Sequence, residues 1–364
     1  MKRILAICLV MTFGVAMAHA QDKPQPAPFK YTDAQQLMVI NKGFENTELD
    51  YSRLPMDLKG ETRKDVWDLG LNSAGIAVRF CTDSKRLALK WTLLNDTHMN
   101  HMAGTGIRGI DVYFFGEDGS WHFLTTAQPT TGKKDSERTV LNNMDGTEHE
   151  FMVYLPLYDG ATKVEVGVDE AAFIDKPHIA ELTKGAVKPI VVYGTSIAQG
   201  GCASRPGMVY SSILSRDLHR EVINLGFSGN ARLDFALAKM CARIDSDCYI
   251  VDPLENCTTK TLRDSAYTWI TYLAKERPEA DIYMVENIEY CYGLLDVKTH
   301  NDVVEKNAYW KELYEQLCAE GYKNLHYIVK EGLTGPDTEG SVDGGHQTDL
   351  GFRRMADTFL KYLK

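Results

Sequence analysis

Ser196 stands in Gly194-Thr195-Ser196-Ile197, directly after the apolar run Ile190-Val191-Val192-Tyr193. Near the other end of the chain, His346 closes Asp343-Gly344-Gly345-His346. A serine hydroxyl is a weak nucleophile that needs a base within hydrogen-bond reach, and the base needs a group that orients it. Asp343 precedes His346 by three residues, close enough for the carboxylate to fold back onto the imidazole, and the intervening glycines permit the tight backbone this demands. Each piece has a plainer use, Ser196 as a cap in a strand-to-helix turn and Asp343 as a cap ahead of the last helix. Capping leaves His346 without a role. In the order Ser…Asp…His the three side chains point to acyl transfer through a serine nucleophile.

Such chemistry needs donors aimed at the oxyanion of the tetrahedral intermediate. Two further segments supply them: Asn224-Leu225-Gly226-Phe227-Ser228-Gly229-Asn230 and Asp252-Pro253-Leu254-Glu255-Asn256. A Gly229 amide and the Asn256 side chain would complete a hole begun by the Ser196 amide. Ser228 also lies in a glycine turn, but no strand ending in Gly-x-Ser runs directly into it, which leaves Ser196 the better nucleophile.

For these residues to meet, the elements that carry them must share an edge. Apolar runs at Pro189–Tyr193, Val222–Leu225, Tyr249–Asp252, Ile282–Val285 and Leu325–Val329 read as strands buried on both faces. They alternate with helical patterns near Met208–His219, Leu233–Arg243, Leu262–Glu276, Val303–Glu320 and Thr348–Leu363. Five βα units in a row predict a parallel sheet covered by helices on both sides, with Ser196, Gly229 and Asn256 at its carboxyl edge. Before about Ala180 the rhythm is different. Short alternating runs at 76–80, 87–91, 109–114, 121–123, 151–155 and 164–168, broken by Asp/Gly turns, predict an antiparallel β-sandwich or jelly roll. The boundary is expected near Ile179–Lys188, giving a sandwich over 31–180 and an α/β domain over 181–364.

The start of the chain, Met1-Lys2-Arg3 followed by an apolar stretch to Ala18-His19-Ala20, reads as a secretory signal cleaved after Ala20. Residues 21–30, with Pro24, Pro26 and Pro28, read as a linker. Nothing later is long and apolar enough to span a bilayer. Losing Lys2 and Arg3 leaves 38 basic against 50 acidic residues, an acidic balance that disfavours nucleic acid and anionic membrane as partners. Seven cysteines remain after cleavage, an odd number that leaves at least one free thiol. A Cys202–Cys257 bridge bracing the site is one pairing open to them. His98 and His101 have a metal-like spacing, but no carboxylate or cysteine cluster joins them in sequence, so a loop is expected there, one that would reach the mouth of the site. Arg205 is a candidate substrate contact, with pairing to a nearby carboxylate as the alternative.

Taken together, these blocks resemble the SGNH (GDSL-like) esterase superfamily from about Lys188 onward. Ser196 matches its nucleophile, Gly229 and Asn256 its oxyanion donors, and Asp343 with His346 its Asp-x-x-His block. The first half resembles the β-sandwich module that precedes one bacterial branch, through Arg53-Leu54-Pro55 and Gly109-Ile110-Asp111-Val112-Tyr113. The Arg205-Pro206-Gly207 segment resembles that branch too. The sequence departs from the superfamily at Thr195, where aspartate is usual, and at Leu254 and Cys257, which flank Asn256 in place of Gly and Asp. The resemblance implies a flavodoxin-like α/β/α domain with a five-stranded parallel sheet. It also implies a serine esterase that uses no metal or organic cofactor and acts on small-molecule, oligosaccharide or polysaccharide esters, O-acetyl groups foremost. A lipid or thioester acylhydrolase, or a non-catalytic carbohydrate-binding protein on the same fold, are the alternatives.

Overall fold

The structure, a computed structural model, describes residues 27–178 and 187–363. The expected signal sequence, most of the linker and most of the expected 179–188 junction lie outside the described residues.

The first half is antiparallel throughout. Its strands are β1 (Phe29–Asp33), β2 (Met38–Ile40), β3 (Ala77–Thr82), β4 (Leu87–Leu93), β5 (Ile110–Phe115), β6 (Trp121–Ala127), β7 (Asp135–Leu141), β8 (His149–Tyr154), β9 (Ala161–Asp169) and β10 (Ile174–Asp175). One sheet has the order β1-β9-β4-β7 and the other β10-β3-β8-β5-β6, with β2 paired to β3. Phe80, Val112, Phe151 and Val153 from the second sheet and Leu89, Trp91, Val164 and Val166 from the first share one buried cluster, so alternate residues of both sheets form the core. Four strands, β1, β2, β7 and β10, fall outside the runs read from sequence, β1 and β7 at the two edges of the first sheet. Phe29 and Lys30, expected in the linker, pair with Asp169 and Val168 as the start of β1. The polar strand β7 pairs with β4 at a sheet edge. An edge strand buries little, so neither carries the apolar alternation by which the others were read.

The second half contains β11 (Ile190–Gly194), β12 (Val222–Gly226), β13 (Cys248–Asp252), β14 (Asp281–Val285) and β15 (Leu325–Ile328), all parallel, in the order β12-β11-β13-β14-β15. Two short helices, α1 (Lys64–Gly70) and α2 (Gly104–Arg108), belong to the first half. In the second, α3 (Ser196–Gln199) follows β11, then α4 (Tyr210–Asp217), α5 (Phe235–Cys241), α6 (Thr259–Glu276), α7 (Val297–Ala319) and α8 (Asp349–Phe359). Helices α5, α6 and α7 bury Leu237, Trp269 and Trp310 against one face of the sheet. On the other face, α4 and α8 bury Ile213 and Phe359. Helix α7 begins at Val297, ahead of the expected Val303, because Asp296 caps it by accepting the Thr299 amide at 3.1 Å. Strand order reverses at β11, and the crevice this opens at the carboxyl ends of β11 and β13 is where open α/β sheets bind ligands.

The two faces also explain the cysteines. Among the described residues all seven are free thiols. Cys202 belongs to the cluster on the α4/α8 face and Cys257 to the one on the α5/α6 face. The sheet stands between the two clusters, which rules out the pairing considered from sequence.

The sandwich forms the rear support of the turn that follows β11. Arg53 is buried and donates to the carbonyls of Leu69 (2.6 Å), Asn72 (2.9 Å), Asn224 (3.2 Å) and Gly226 (2.7 Å), clasping the end of β12. Tyr158 Oη donates to the Ser196 carbonyl at 3.1 Å, and Gln199 Nε2 to the Leu157 carbonyl at 3.2 Å. Arg205, a candidate substrate contact from sequence, is consumed in the same junction. Its guanidinium donates to Asp111 Oδ2 at 2.8 Å and to Tyr113 Oη at 2.6 Å, and stacks 3.6 Å over the Phe123 ring. A buried aspartate on β5 offers an arginine a better partner than an open cleft does, so Arg205 acts as a strut between the halves.

Candidate active site

Ser196 opens α3 directly after β11. Thr195, in the position where the superfamily more often has aspartate, is fully buried and its hydroxyl caps the helix by accepting the Ile197 amide at 3.3 Å. The elbow is tight enough to restrict its neighbours. A Cβ on Gly226 would lie 2.1 Å from the Gln199 nitrogen, so β12 can pass under α3 only with glycine there.

The Ser196 hydroxyl reaches His346 Nε2 at 2.8 Å, and His346 Nδ1 reaches Asp343 Oδ2 at 2.8 Å. Asp343 Oδ1 also accepts the backbone amides of Gly345 (3.0 Å) and His346 (2.8 Å). Burial works against the carboxylate charge, but the His346 and Gly345 donors outweigh it and hold Asp343 down at about 2. With the Nδ1 proton committed to a permanent anion, Nε2 is left to accept from the serine. The turn is held open at Gly344, whose φ is +92° and where a Cβ would lie 2.6 Å from the Tyr292 ring. Val342 N and Ser341 Oγ both donate to the His346 carbonyl, at 2.8 and 3.0 Å. The relay expected from sequence is therefore assembled across 150 residues of chain.

Asn256 borders the same cleft as Ser196 and His346. Its Oδ1 accepts the Ala231 amide at 3.2 Å, which turns the Nδ2 donor the other way. The Cys257 thiol holds the carbonyl of the same residue, with Sγ 3.5 Å from the Ala231 oxygen. Gly229 lies on the loop after β12, which is tied to α3 by the Ser228 amide donating to Gln199 Oε1 at 3.0 Å. It does not border the cleft itself. Ser228, the rival hydroxyl, sits beside Tyr158 rather than an imidazole. His98 faces Asp96 and Arg108, whereas His101 reaches the mouth of the site, its ring edge-on to His346 with centroids 5.6 Å apart.

The cleft has a volume of about 260 Å³ and is bordered also by Tyr290, Tyr292 and Glu255. The two tyrosine rings stack with centroids 5.4 Å apart and planes at 8°, forming one wall. Sequence reasoning missed all three. The signal available was position: each lies just past the carboxyl end of β13 or β14, on the edge that carries Ser196.

Glu255 raises an electrostatic question. Its Oε1 accepts the Ile288 amide at 3.2 Å, while its buried Oε2 has no hydrogen-bond partner among the described residues. Asp252, Lys306, Tyr290 and the Thr195 hydroxyl face it. Burial pushes both Asp252 and Glu255 upward, and the Glu255 charge raises Asp252 further. A raised carboxyl is neutral below its pKa and becomes an anion above it, where it would oppose an oxyanion forming beside it. Ester hydrolysis is accordingly expected to decline in the wild type as pH rises through the titration of this pair, and Glu255→Gln to remove that decline. A pH–rate profile unchanged in the variant would place the group elsewhere.

Comparison with known proteins follows the same division of the chain. The profile of the GDSL-like lipase/acylhydrolase family matches residues 187–364, and that of the N-terminus of SGNH-hydrolase-type esterases matches residues 29–174. No curated protein matches the chain. A solved structure from Bacteroides ovatus ATCC 8483, designated a GDSL-like lipase, is 33% identical, covers 92% of this chain and 97% of its own, and superposes with a TM-score of 0.86. The salicylyl-acyltransferase SsfX3 of a tetracycline biosynthetic pathway is 14% identical over 93% of this chain and 98% of its own, with a TM-score of 0.71. An acetyl xylan esterase from the rumen bacterium Butyrivibrio proteoclasticus is 11% identical over 93% and 98%, with a TM-score of 0.55. The last two show a shared fold.

Proposed function

The chain belongs to the GDSL-like lipase/acylhydrolase family, and from that premise we propose that it is an exported serine esterase cleaving small acyl esters, O-acetyl groups on carbohydrates foremost. The observation that carries this reading is the continuous relay Ser196–His346–Asp343 at the base of a cleft bordered by Asn256.

In this mechanism His346 Nε2 takes the Ser196 proton as Oγ attacks the ester carbonyl, and Asp343 holds the imidazole in the required tautomer and stabilises the imidazolium. The Ser196 amide and Asn256 Nδ2 stabilise the oxyanion. His346 then returns the proton to the departing alcohol, and water repeats the cycle to free the acid. A cleft of about 260 Å³ suits a short acyl group better than a long chain. Tyr292 is 49% exposed, which leaves an aromatic face free to lie against a sugar ring. The acetyl xylan esterase with the same fold is a precedent for the substrate class.

The protein recovered from the periplasm or medium is expected to begin at Gln21 and to release acetate from acetylated oligosaccharides or polysaccharides. On p-nitrophenyl esters of increasing length, kcat/KM is expected to be highest for acetate. A maximum at long chains would favour a lipid or thioester acylhydrolase instead.

A further inference from the structure

His101 lacks metal-binding neighbours in sequence but acquires them in the fold. One potential ligand atom each from His101, Cys202 and His346 lie within 4.8 Å of one another. The three come from unconnected segments: the loop before α2 in the sandwich half, the loop after α3, and the turn that carries the catalytic base. We propose that His101, Cys202 and His346 form an inhibitory site for a borderline transition-metal ion, Zn²⁺ foremost, that acts by occupying the catalytic imidazole.

The donor set selects the ion. Two imidazoles and a thiol, with no carboxylate among them, suit Zn²⁺ and exclude Mg²⁺ and Ca²⁺, which take oxygen ligands. Zn–N distances of about 2.0–2.1 Å and Zn–S of about 2.3 Å place these tetrahedral ligand atoms roughly 3.3–3.6 Å apart. Closing the cluster therefore asks for a shift of about 1 Å. His101 is exposed and can supply it by rotating, whereas Cys202 is buried and anchored by its amide to the Gln347 carbonyl at 3.2 Å.

His346 is already prepared as a ligand. Its Nδ1 donates to Asp343, the second-shell arrangement that orients a metal-binding imidazole and strengthens it as a donor. The atom left free is Nε2, the one that faces Ser196 Oγ. A metal there takes the lone pair that would accept the serine proton, so the consequence is inhibition. Burial, then the charge of Asp343, raises the Cys202 thiol to about 12. On binding, the S–H bond breaks, the proton passes to solvent and the thiolate ligates the ion, with no change in oxidation state. Three protein ligands leave a fourth position for water.

Binding stands apart from the proposed esterase function, whereas inhibition rests on it, and the experiment separates them. Mature protein is titrated with Zn²⁺ against a chromophoric chelator, and with Co²⁺ to read thiolate-to-cobalt charge-transfer absorption, in wild type and in Ser196→Ala. Stoichiometric binding with the charge-transfer band is expected in both, with p-nitrophenyl acetate hydrolysis by the wild type falling in step with Zn²⁺ occupancy and recovering with EDTA. His101→Ala and Cys202→Ser are each expected to weaken Zn²⁺ binding by more than about tenfold, the lower end of what losing even an outer-shell partner costs. Cys202→Ser should also abolish the band, while Cys318→Ser, at an exposed cysteine far along α7, should change neither. Absence of the band in the wild type, or Zn²⁺ binding unaltered in both His101→Ala and Cys202→Ser, overturns the site. Binding with the band in a protein that hydrolyses no ester leaves the site standing and removes the esterase reading.

Discussion

Ser196→Ala is expected to lower kcat on p-nitrophenyl acetate by about 10⁶-fold, the loss seen when the nucleophile of a serine triad is deleted. The hydroxyl lies 2.8 Å from His346 Nε2, and its removal leaves the base with nothing to activate but water. The variant should fold as the wild type does. Helix α3 is held by the Thr195 cap, by Asn224 Nδ2 on the Ala198 carbonyl at 2.6 Å and by Tyr158 on the Ser196 carbonyl, none of which uses the serine hydroxyl. An unchanged melting temperature with lost turnover therefore isolates the chemistry. Activity that survives in Ser196→Ala would be incompatible with a serine esterase built on this residue. A wild type without esterase activity, paired with carbohydrate binding, would favour the non-catalytic alternative.

Asp343→Asn should cost about 10⁴-fold in kcat, by the wrong-tautomer route. Asp343 accepts three hydrogens, two from backbone amides on Oδ1 and one from His346 Nδ1 on Oδ2. An asparagine that keeps its oxygen on the two amides must turn its NH₂ toward Nδ1. The ring then accepts at Nδ1 and carries its proton on Nε2, where it can no longer take one from Ser196. The carboxylate has a second signature. Its folded-state value of about 2 lies below the ordinary 3.8, so its ionic contribution to stability is present above about pH 4 and is lost as pH falls toward 2. Thermal melts between pH 5 and pH 2 should thus fall less steeply for Asp343→Asn than for the wild type. A variant within tenfold of wild-type turnover would show that another group orients the imidazole.

The wall and junction of the site were less legible than its catalytic atoms. Asp343, His346 and the two glycines between them make their bonds within three residues, so their spacing is itself the geometry. Ser196 likewise declares itself through the apolar strand before it and the glycine that turns it. Tyr290 and Tyr292 carry no such local mark, because what makes them a wall is the order of strands that sets the end of β14 beside β13. Arg205 could be read toward substrate or carboxylate until Asp111, 94 residues away, was brought under it. Cys202 and Cys257 each adjoin a site segment, and only the sheet between them shows that they cannot meet.

By itself, the sequence determined the class of each half, the order of the parallel strands' appearance and the turn that sets Asp343 against His346, since these follow from periodicity and from bonds that close within a few residues. The tertiary structure alone decided which strands became edges. It also decided that the sandwich clasps β12 through Arg53 and that His101 and Cys202 flank the catalytic imidazole. Those outcomes depend on packing between segments a hundred residues apart, where the free energy is set by which faces are buried against each other. A local pattern of residue types carries no record of that choice.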